Sequence, residues 1–274
     1  MRLIRTAFVA AVRQLMTRTR QFPGKYRAVK LLGRLAEGAP IGSAYGVVME
    51  AHFGDLTNYY ALRGYDDHRV AEAVATLRPG EAFIDVGANA GLFSLLAAKA
   101  VGPAGAVLAF ETQAAMADLL RRNRELNRAD CIHVFEFALG VRTERARITR
   151  ASGHSGIAFI DEAGDEAILV VDPADMKALF EALVGERGTM IKIDVEGYEA
   201  VVVRALAPIL ARLRVRTCIV EIDQHNLQRA GSSPAELYQM MESAGFRPVF
   251  GPGGSDHYDE VFERDQRSST RRAG

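Results

Sequence analysis

The chain has no net charge: its 34 lysines and arginines are matched by 34 aspartates and glutamates. No global basic field therefore asks for nucleic acid. Long apolar runs are also missing, and none reaches the ~18 consecutive residues of a membrane-spanning helix. Cysteine is scarce. Cys131 and Cys218, the two present, each lie in an apolar, strand-like run. They read as small buried hydrophobes rather than a disulfide or metal pair, which points to a reducing, cytoplasmic compartment. There is no internal repeat and no low-complexity tract. Acidic residues are absent before Glu37, whereas Arg2, Arg5, Arg13, Arg18 and Arg20 crowd the first twenty positions. Between these arginines, Leu3, Ile4, Ala7, Phe8, Ala11, Val12, Leu15 and Met16 recur at helical spacing. Such a helix either docks on the domain's own apolar surface or makes a peripheral contact with an anionic membrane through residues 1–20. Arg13 interrupts the apolar run and no export-type cleavage site follows, so the stretch does not read as a signal peptide.

What is present is an ordinary globular composition, 49% hydrophobic and 25% charged. Residues 1–44 are expected to form an amphipathic helix and linker, 45–265 one domain, and 266–274 a frayed polar tail. Tyr45 to Ala51 reads as a strand, paired in a hairpin across His52 to Asp55, and Asp66 to Leu77 as a helix stopped by Pro79-Gly80. From Ala82 onward strands and helices alternate. The strands are Ala82 to Val86, Val107 to Phe110, Ile132 to Leu139, Met190 to Val195 and Val215 to Ile222, with closing segments near Phe246 and Asp259. This alternation predicts an α/β fold with a mostly parallel sheet covered by helices on both faces. Ligands of such sheets collect at the carboxyl ends of the strands.

The chain is organised around Glu81 to Lys99, EAFIDVGANAGLFSLLAAK, a strand that breaks at Gly87 and Gly91 into a helix. Glycines there let a ligand approach the main chain, and the helix start offers free N–H groups. Asp85 just before the turn would repel a pyrophosphate but hold an ammonium. Glu111 follows Gly91 by about the 20 residues at which nucleoside-binding sheets place the acid that takes ribose hydroxyls. A ligand with a ribose and an ammonium group fits S-adenosylmethionine. NAD fits less well, because the full GxGxxG pattern is absent.

FIDVGANAGLFSL, AFET, FALG, IKIDVEGYE and IVEI, in that order over about residues 55 to 250, resemble the FkbM-type S-adenosylmethionine-dependent methyltransferases. The resemblance implies a Rossmann-like class I methyltransferase fold with a seven-stranded sheet and, here, an N-terminal helical and hairpin extension. It also implies that Asp85, Gly87, Asn89 and Gly91 hold the methionine moiety and Glu111 the ribose, with Glu136 to Ala138 near the adenine. Thr112 follows Glu111 where the family usually has proline, which should alter the turn slightly but leave the carboxylate in place. The family chiefly methylates hydroxyl oxygens on small molecules, sugars among them.

Methyl transfer to a hydroxyl needs close, collinear placement and a proton acceptor. The candidates are Asp194 and His225, with Glu221 orienting one of them. Lys192 stands among them, read first as the neutraliser of a neighbouring carboxylate. Asp194, Glu196, Glu221 and Asp223 could also bind a divalent cation, but nothing in their spacing requires one, so no metal ligand is assigned. The acceptor pocket is expected from Tyr45 to Tyr60, the insert 144–171 and the loop around His225. Tyr59, Tyr60 and Phe53 are aromatic enough to stack on a ring. Two other classes are open to such a chain: an NAD-dependent oxidoreductase, and a cofactor-binding module without catalysis. A nucleic-acid methyltransferase is disfavoured by the absence of an Asn-Pro-Pro-Tyr-like motif and of basic excess.

Overall fold

The computed structural model describes residues 2–18, 23–210 and 212–265, with the side chains of residues 2–7, 17, 18 and 35 outside that description. The expected polar tail, 266–274, also lies outside it, as does Arg20. From helix α1 (Arg2–Arg18), Val12 and Met16 are buried in the domain's own core, with Phe8 and Leu15 packed against it. Helix α2 (Lys25–Leu32) follows, with Val29 in the same cluster and Lys25 Nζ donating to the Met16 carbonyl at 2.9 Å. No helix among the described residues is long and apolar enough to cross a membrane.

The N-terminal hairpin differs from expectation. Val48–Glu50 pairs with Pro40–Gly42, the strand before it, and not with a strand beyond His52. Asp55 takes the following segment another way, because its carboxylate accepts the Asn58 N–H at 2.8 Å and caps α3 (Leu56–Arg63). Helix α4 (Arg69–Val74) then leads to the sheet.

The main sheet contains β1 (Ala82–Val86), β2 (Ala106–Phe110), β3 (Ile132–Phe135), β4 (Gly188–Ile193), β5 (Arg214–Asp223), β6 (Phe246–Pro248) and β7 (His257–Arg264). Their spatial order is β3-β2-β1-β4-β5-β7-β6. All neighbours are parallel except β7, which runs antiparallel to both β5 and β6. This is the mostly parallel, seven-stranded Rossmann-like sheet that the resemblance implies. The chain moves outward from β1 to β3 and then returns to the other side of β1. The crevice at that reversal opens above the carboxyl ends of β1 and β4.

Every residue of β1 and β2 is buried, as strands covered on both faces require. One face carries Phe83, Val107, Met190 and Ile219, and packs against α1, α3, α4, α5 (Leu92–Val101) and α6 (Ala114–Asn127). The other carries Ile84, Val86, Leu108, Ile191, Ile193 and Val220. It is covered by α7 (Lys177–Leu183), α8 (Glu199–Leu210), α9 (Gln224–Arg229) and α10 (Pro234–Ser243). Between β3 and β4 sits a four-stranded sheet built from residues 138–171. Its Ile148, Ile168 and Val170 form a small core of their own.

Candidate functional site

The turn after β1 is fixed by two parallel bonds, with the N–H groups of Gly87 and Ala88 both donating to the Phe110 carbonyl at 3.0 Å. Gly87, Asn89 and Gly91 all have positive φ (84°, 49° and 89°). Beyond any approach of a ligand, each glycine has a close neighbour within the protein. A Cβ on Gly87 would lie 1.8 Å from the Asp194 carbonyl oxygen, and one on Gly91 would lie 2.7 Å from Leu120 Cγ. They are demanded by the approach of β4's end and of α6. Asn89 supplies the working surface of the turn. Its N–H donates to Glu111 Oε2 at 2.8 Å, while the Gln113 N–H donates to Glu111 Oε1 at 2.7 Å. Burial holds the Glu111 carboxyl up at about 7, despite these two bonds.

Asp85 does not open onto the cavity above this turn. It shares its face with Phe83 beneath α5, and its Oδ2 accepts from Ser94 Oγ at 2.6 Å. The cation beside it belongs to the protein, for Lys192 is its register partner on β4. Burial raises the Asp85 carboxyl and the Lys192 charge opposes that rise. Its Oδ1 is buried and has no partner among the described residues. Asp85 thus lies under the floor, where it and Asp194 both act on one lysine. Burial is the largest influence on Lys192 and lowers its pKa, but Asp194 and Asp85 together outweigh it and the group is raised.

A cavity of about 530 Å³ opens over the crevice. Gly87, Asn89, Glu111, Ala138, Lys192, Asp194 and Glu221 line it; Asp85, Gly91, Glu136 and His225 do not. Glu136 instead pairs with Arg121 at 3.0 Å, and Phe137 takes the lining position beside Ala138. His225 is exposed on α9, a helix that Asp223 starts by accepting the Asn226 N–H. From α9 it is Asn226 that reaches the site, donating to Glu196 Oε2 at 2.7 Å.

The wall opposite Glu111 is acidic. Lys192 Nζ bonds Asp194 Oδ2 at 2.6 Å, and His257 Nε2 meets Glu221 Oε1 at 2.9 Å. Burial and the charge of Asp194 lift Glu196 to about 8 and Glu221 well above its ordinary value. Asp259, also on this wall, rises to about 6, mainly through burial. Below them Glu199 Oε1 accepts the N–H groups of Val195 and Gly197, at 2.9 and 3.1 Å, and so shapes the loop carrying Asp194 and Glu196. His257, Asp259 and Glu199 escaped the sequence reading. The first two sit on the antiparallel return strand, whose register with β5 (Glu221 opposite Asp259, Asp223 opposite His257) no motif encodes.

Two other segments close the cavity. Tyr60, Tyr65 and Phe93 form a stacked aromatic side, with Lys192 Nζ 5.2 Å from the Phe93 ring centre. Phe53 and Tyr59, considered beside Tyr60, belong to the core. The second segment is a strap, residues 153–156 of the insert. Asp55 accepts from the Ser155 N–H and Oγ–H at 2.6 and 3.0 Å, and Thr57 Oγ1 accepts the Gly156 N–H at 2.9 Å. On the cradle side Asn89 Nδ2 bonds Ser155 Oγ at 3.2 Å, and Gln113 Nε2 bonds the Ser155 carbonyl at 2.8 Å. The insert and the N-terminal region thus supply wall residues, as expected; the loop around His225 does not.

Residues 85–248 match the family described as methyltransferase FkbM domain. No match is found among curated proteins. Among solved structures the chain is similar to a rRNA-methylase from Clostridium thermocellum described as putative (10% identity, TM-score 0.45, covering 72% of this chain and 96% of that one). It is also similar to a SAM-dependent methyltransferase from Aquifex aeolicus (15%, 0.41, 74% and 92%) and to Aeropyrum pernix fibrillarin with natively bound S-adenosyl-L-methionine (13%, 0.40, 71% and 73%). Likenesses this distant say nothing of an acceptor.

Proposed function

We propose a function from one premise: this chain belongs to the FkbM methyltransferase family, whose match spans well over half of its length. It is an S-adenosylmethionine-dependent methyltransferase, and our reading of its acceptor is a hydroxyl group on a small molecule or sugar. The observation that carries this reading is the acidic wall beside the cradle. Asp66, Asp67, Asp194, Glu196, Glu221 and Asp259 line the cavity, and Lys192 is the one lysine or arginine among the described residues that line it. A wall without arginine, its lysine already paired to Asp194, offers little to a phosphate backbone, which binds through lysine and arginine, and Asp194 supplies a proton acceptor to a neutral alcohol.

The cradle's residues suit the cofactor. Glu111 keeps lone pairs beyond the two backbone bonds it accepts, and these fit vicinal ribose hydroxyls. Phe137 and Ala138 offer an apolar face for a base. When bound, S-adenosylmethionine supplies an activated methyl group. The chain's own part is positioning and proton transfer. The strap and the aromatic side exclude water, and Asp194 or the Glu221–His257 pair takes the hydroxyl proton. Asp194 is the better placed of the two for that role, being partly open to the cavity while Lys192 fixes one of its oxygens. Lys192 acts through Asp194 and is a positioning residue.

Calorimetric titration with S-adenosylmethionine, followed by methyl incorporation into hydroxylated small molecules and into RNA, tests the reading. Saturable heat is expected, weakened by about ten- to a hundredfold in Glu111→Gln, the worth of a hydrogen bond to a charged group. Incorporation into RNA alone would refute the acceptor class, and absence of heat the cofactor.

A further inference from the structure

Carboxylate oxygens of Asp194, Glu196 and Glu221 lie within 4.8 Å of one another on the cavity wall. Two ligands of one ion can be separated by at most twice the metal–oxygen bond, about 4.2 Å for magnesium and about 4.6–5.2 Å for calcium. No pair of these oxygens is more than 4.8 Å apart, inside the upper calcium limit. Each carboxylate is also steadied through one oxygen by a different neighbour. Lys192 holds Asp194 Oδ2 at 2.6 Å, Asn226 holds Glu196 Oε2 at 2.7 Å and His257 holds Glu221 Oε1 at 2.9 Å. Outer partners of this kind orient metal ligands, leaving the second oxygen of each for an ion.

Glu221 gives the independent sign that something is to be bound. Its side chain is nine-tenths buried, and Oε2 is shut off from solvent with no hydrogen-bond partner among the described residues. A carboxylate oxygen in that state is costly unless a donor or cation meets it. Asp223, considered with these acids in the sequence, is excluded because it caps α9 instead.

We infer that Asp194, Glu196 and Glu221 are the protein ligands of a divalent-cation site, for a hard ion of the magnesium, manganese or calcium class. With three protein ligands such an ion keeps open positions. Those positions face the cavity, where they orient the acceptor's oxygen and favour loss of its proton. This last role rests on the methyl-transfer reading; the ion site itself does not.

The test is calorimetric titration of chelator-treated, full-length protein with manganese, magnesium and calcium chlorides, without cofactor or acceptor. One saturable site per chain is expected for at least one ion. Affinity should fall at least tenfold in Glu221→Gln and in Glu196→Gln, and hold in Glu186→Gln on the distant surface. Thermal melts establish that each variant is folded; Glu196 is partly exposed, so its variant carries the test if the buried Glu221→Gln does not fold. No saturable binding of any of the three ions up to about millimolar concentration, or undiminished binding in a folded Glu196→Gln, would overturn the inference. S-adenosylmethionine titrated in the presence of chelator reports separately on the cofactor. Heat with it and none with any cation overturns the ion site alone.

Discussion

Replacing Gly87 with alanine should separate two costs that usually travel together. Gly87 and Gly80 have nearly the same φ, +84° and +83°, so alanine at either position meets the strain of a positive φ. That strain is about 1–2 kcal/mol. Their surroundings differ. Around Gly80 an added Cβ meets nothing within 4 Å, whereas at Gly87 it meets the Asp194 carbonyl oxygen at 1.8 Å and its carbon at 2.9 Å. Backbone atoms cannot rotate away, so β4 must move relative to β1, and overpacking of that kind costs a further ~1–3 kcal/mol. Gly80→Ala is therefore expected to lose about 1–2 kcal/mol and Gly87→Ala roughly 2–5 kcal/mol. Urea denaturation of both variants and the parent measures the difference directly. Because Asp194 rides on the displaced strand end, Gly87→Ala should also lower methyl transfer under conditions where it stays folded. Equal losses of stability in the two variants would refute the idea that Gly87 exists to let β4 pass.

Two further outcomes follow from the site. His257→Ala should reduce turnover by about tenfold, the worth of one hydrogen bond lost from Glu221, while His225→Ala should leave it within about twofold, because His257 and not His225 meets Glu221. Steady-state kinetics of the two variants decides, and the reverse ranking would sink the assignment. Stability should also depend on pH with a definite sign. Glu111 and Glu199 are held up at about 7 and Glu196 at about 8, against an ordinary 4.5. The folded chain thus keeps protons that the unfolded chain has lost, and stability falls as pH rises between about 4.5 and 8. Melting of the ligand-free protein should occur at higher temperature at pH 5.5 than at pH 8; a flat or opposite trend would contradict the burial of these acids.

Much of this was legible in the residues because it is local. A buried parallel strand must be apolar, so the acids of IKIDVEGYE and IVEID stood out, and the structure does bring Asp194, Glu196 and Glu221 to one wall. Glu111 was legible for the same reason. What could not be read was pairing across space. Asp85 looked like a ligand residue, but whether a strand-end acid points up into a crevice or down beneath a helix depends on which face it shares. Here it shares the face of Phe83 and bonds Ser94. His225 looked like a base because it follows β5; the return strand instead delivers His257 to Glu221 through an antiparallel register set well over thirty residues away. The glycines were recognised as special, yet the close neighbours they also make room for, the Asp194 backbone at Gly87 and the Leu120 side chain at Gly91, were not legible.

The strap has a consequence for how the molecule assembles. Ser155 is joined to Asp55 across 100 residues of chain, and Gly156 to Thr57 across 99. Closing a loop of that length costs on the order of 4 kcal/mol in chain entropy, far more than any one of those bonds returns. The strap therefore settles only after the sheet has drawn the two segments together, and it contributes to contact order rather than to the folding nucleus. A nascent chain that has emerged through β3 already holds the glycine turn and Glu111, but it has no strap and no acidic wall. The acceptor side of the cavity is therefore completed after the cofactor cradle.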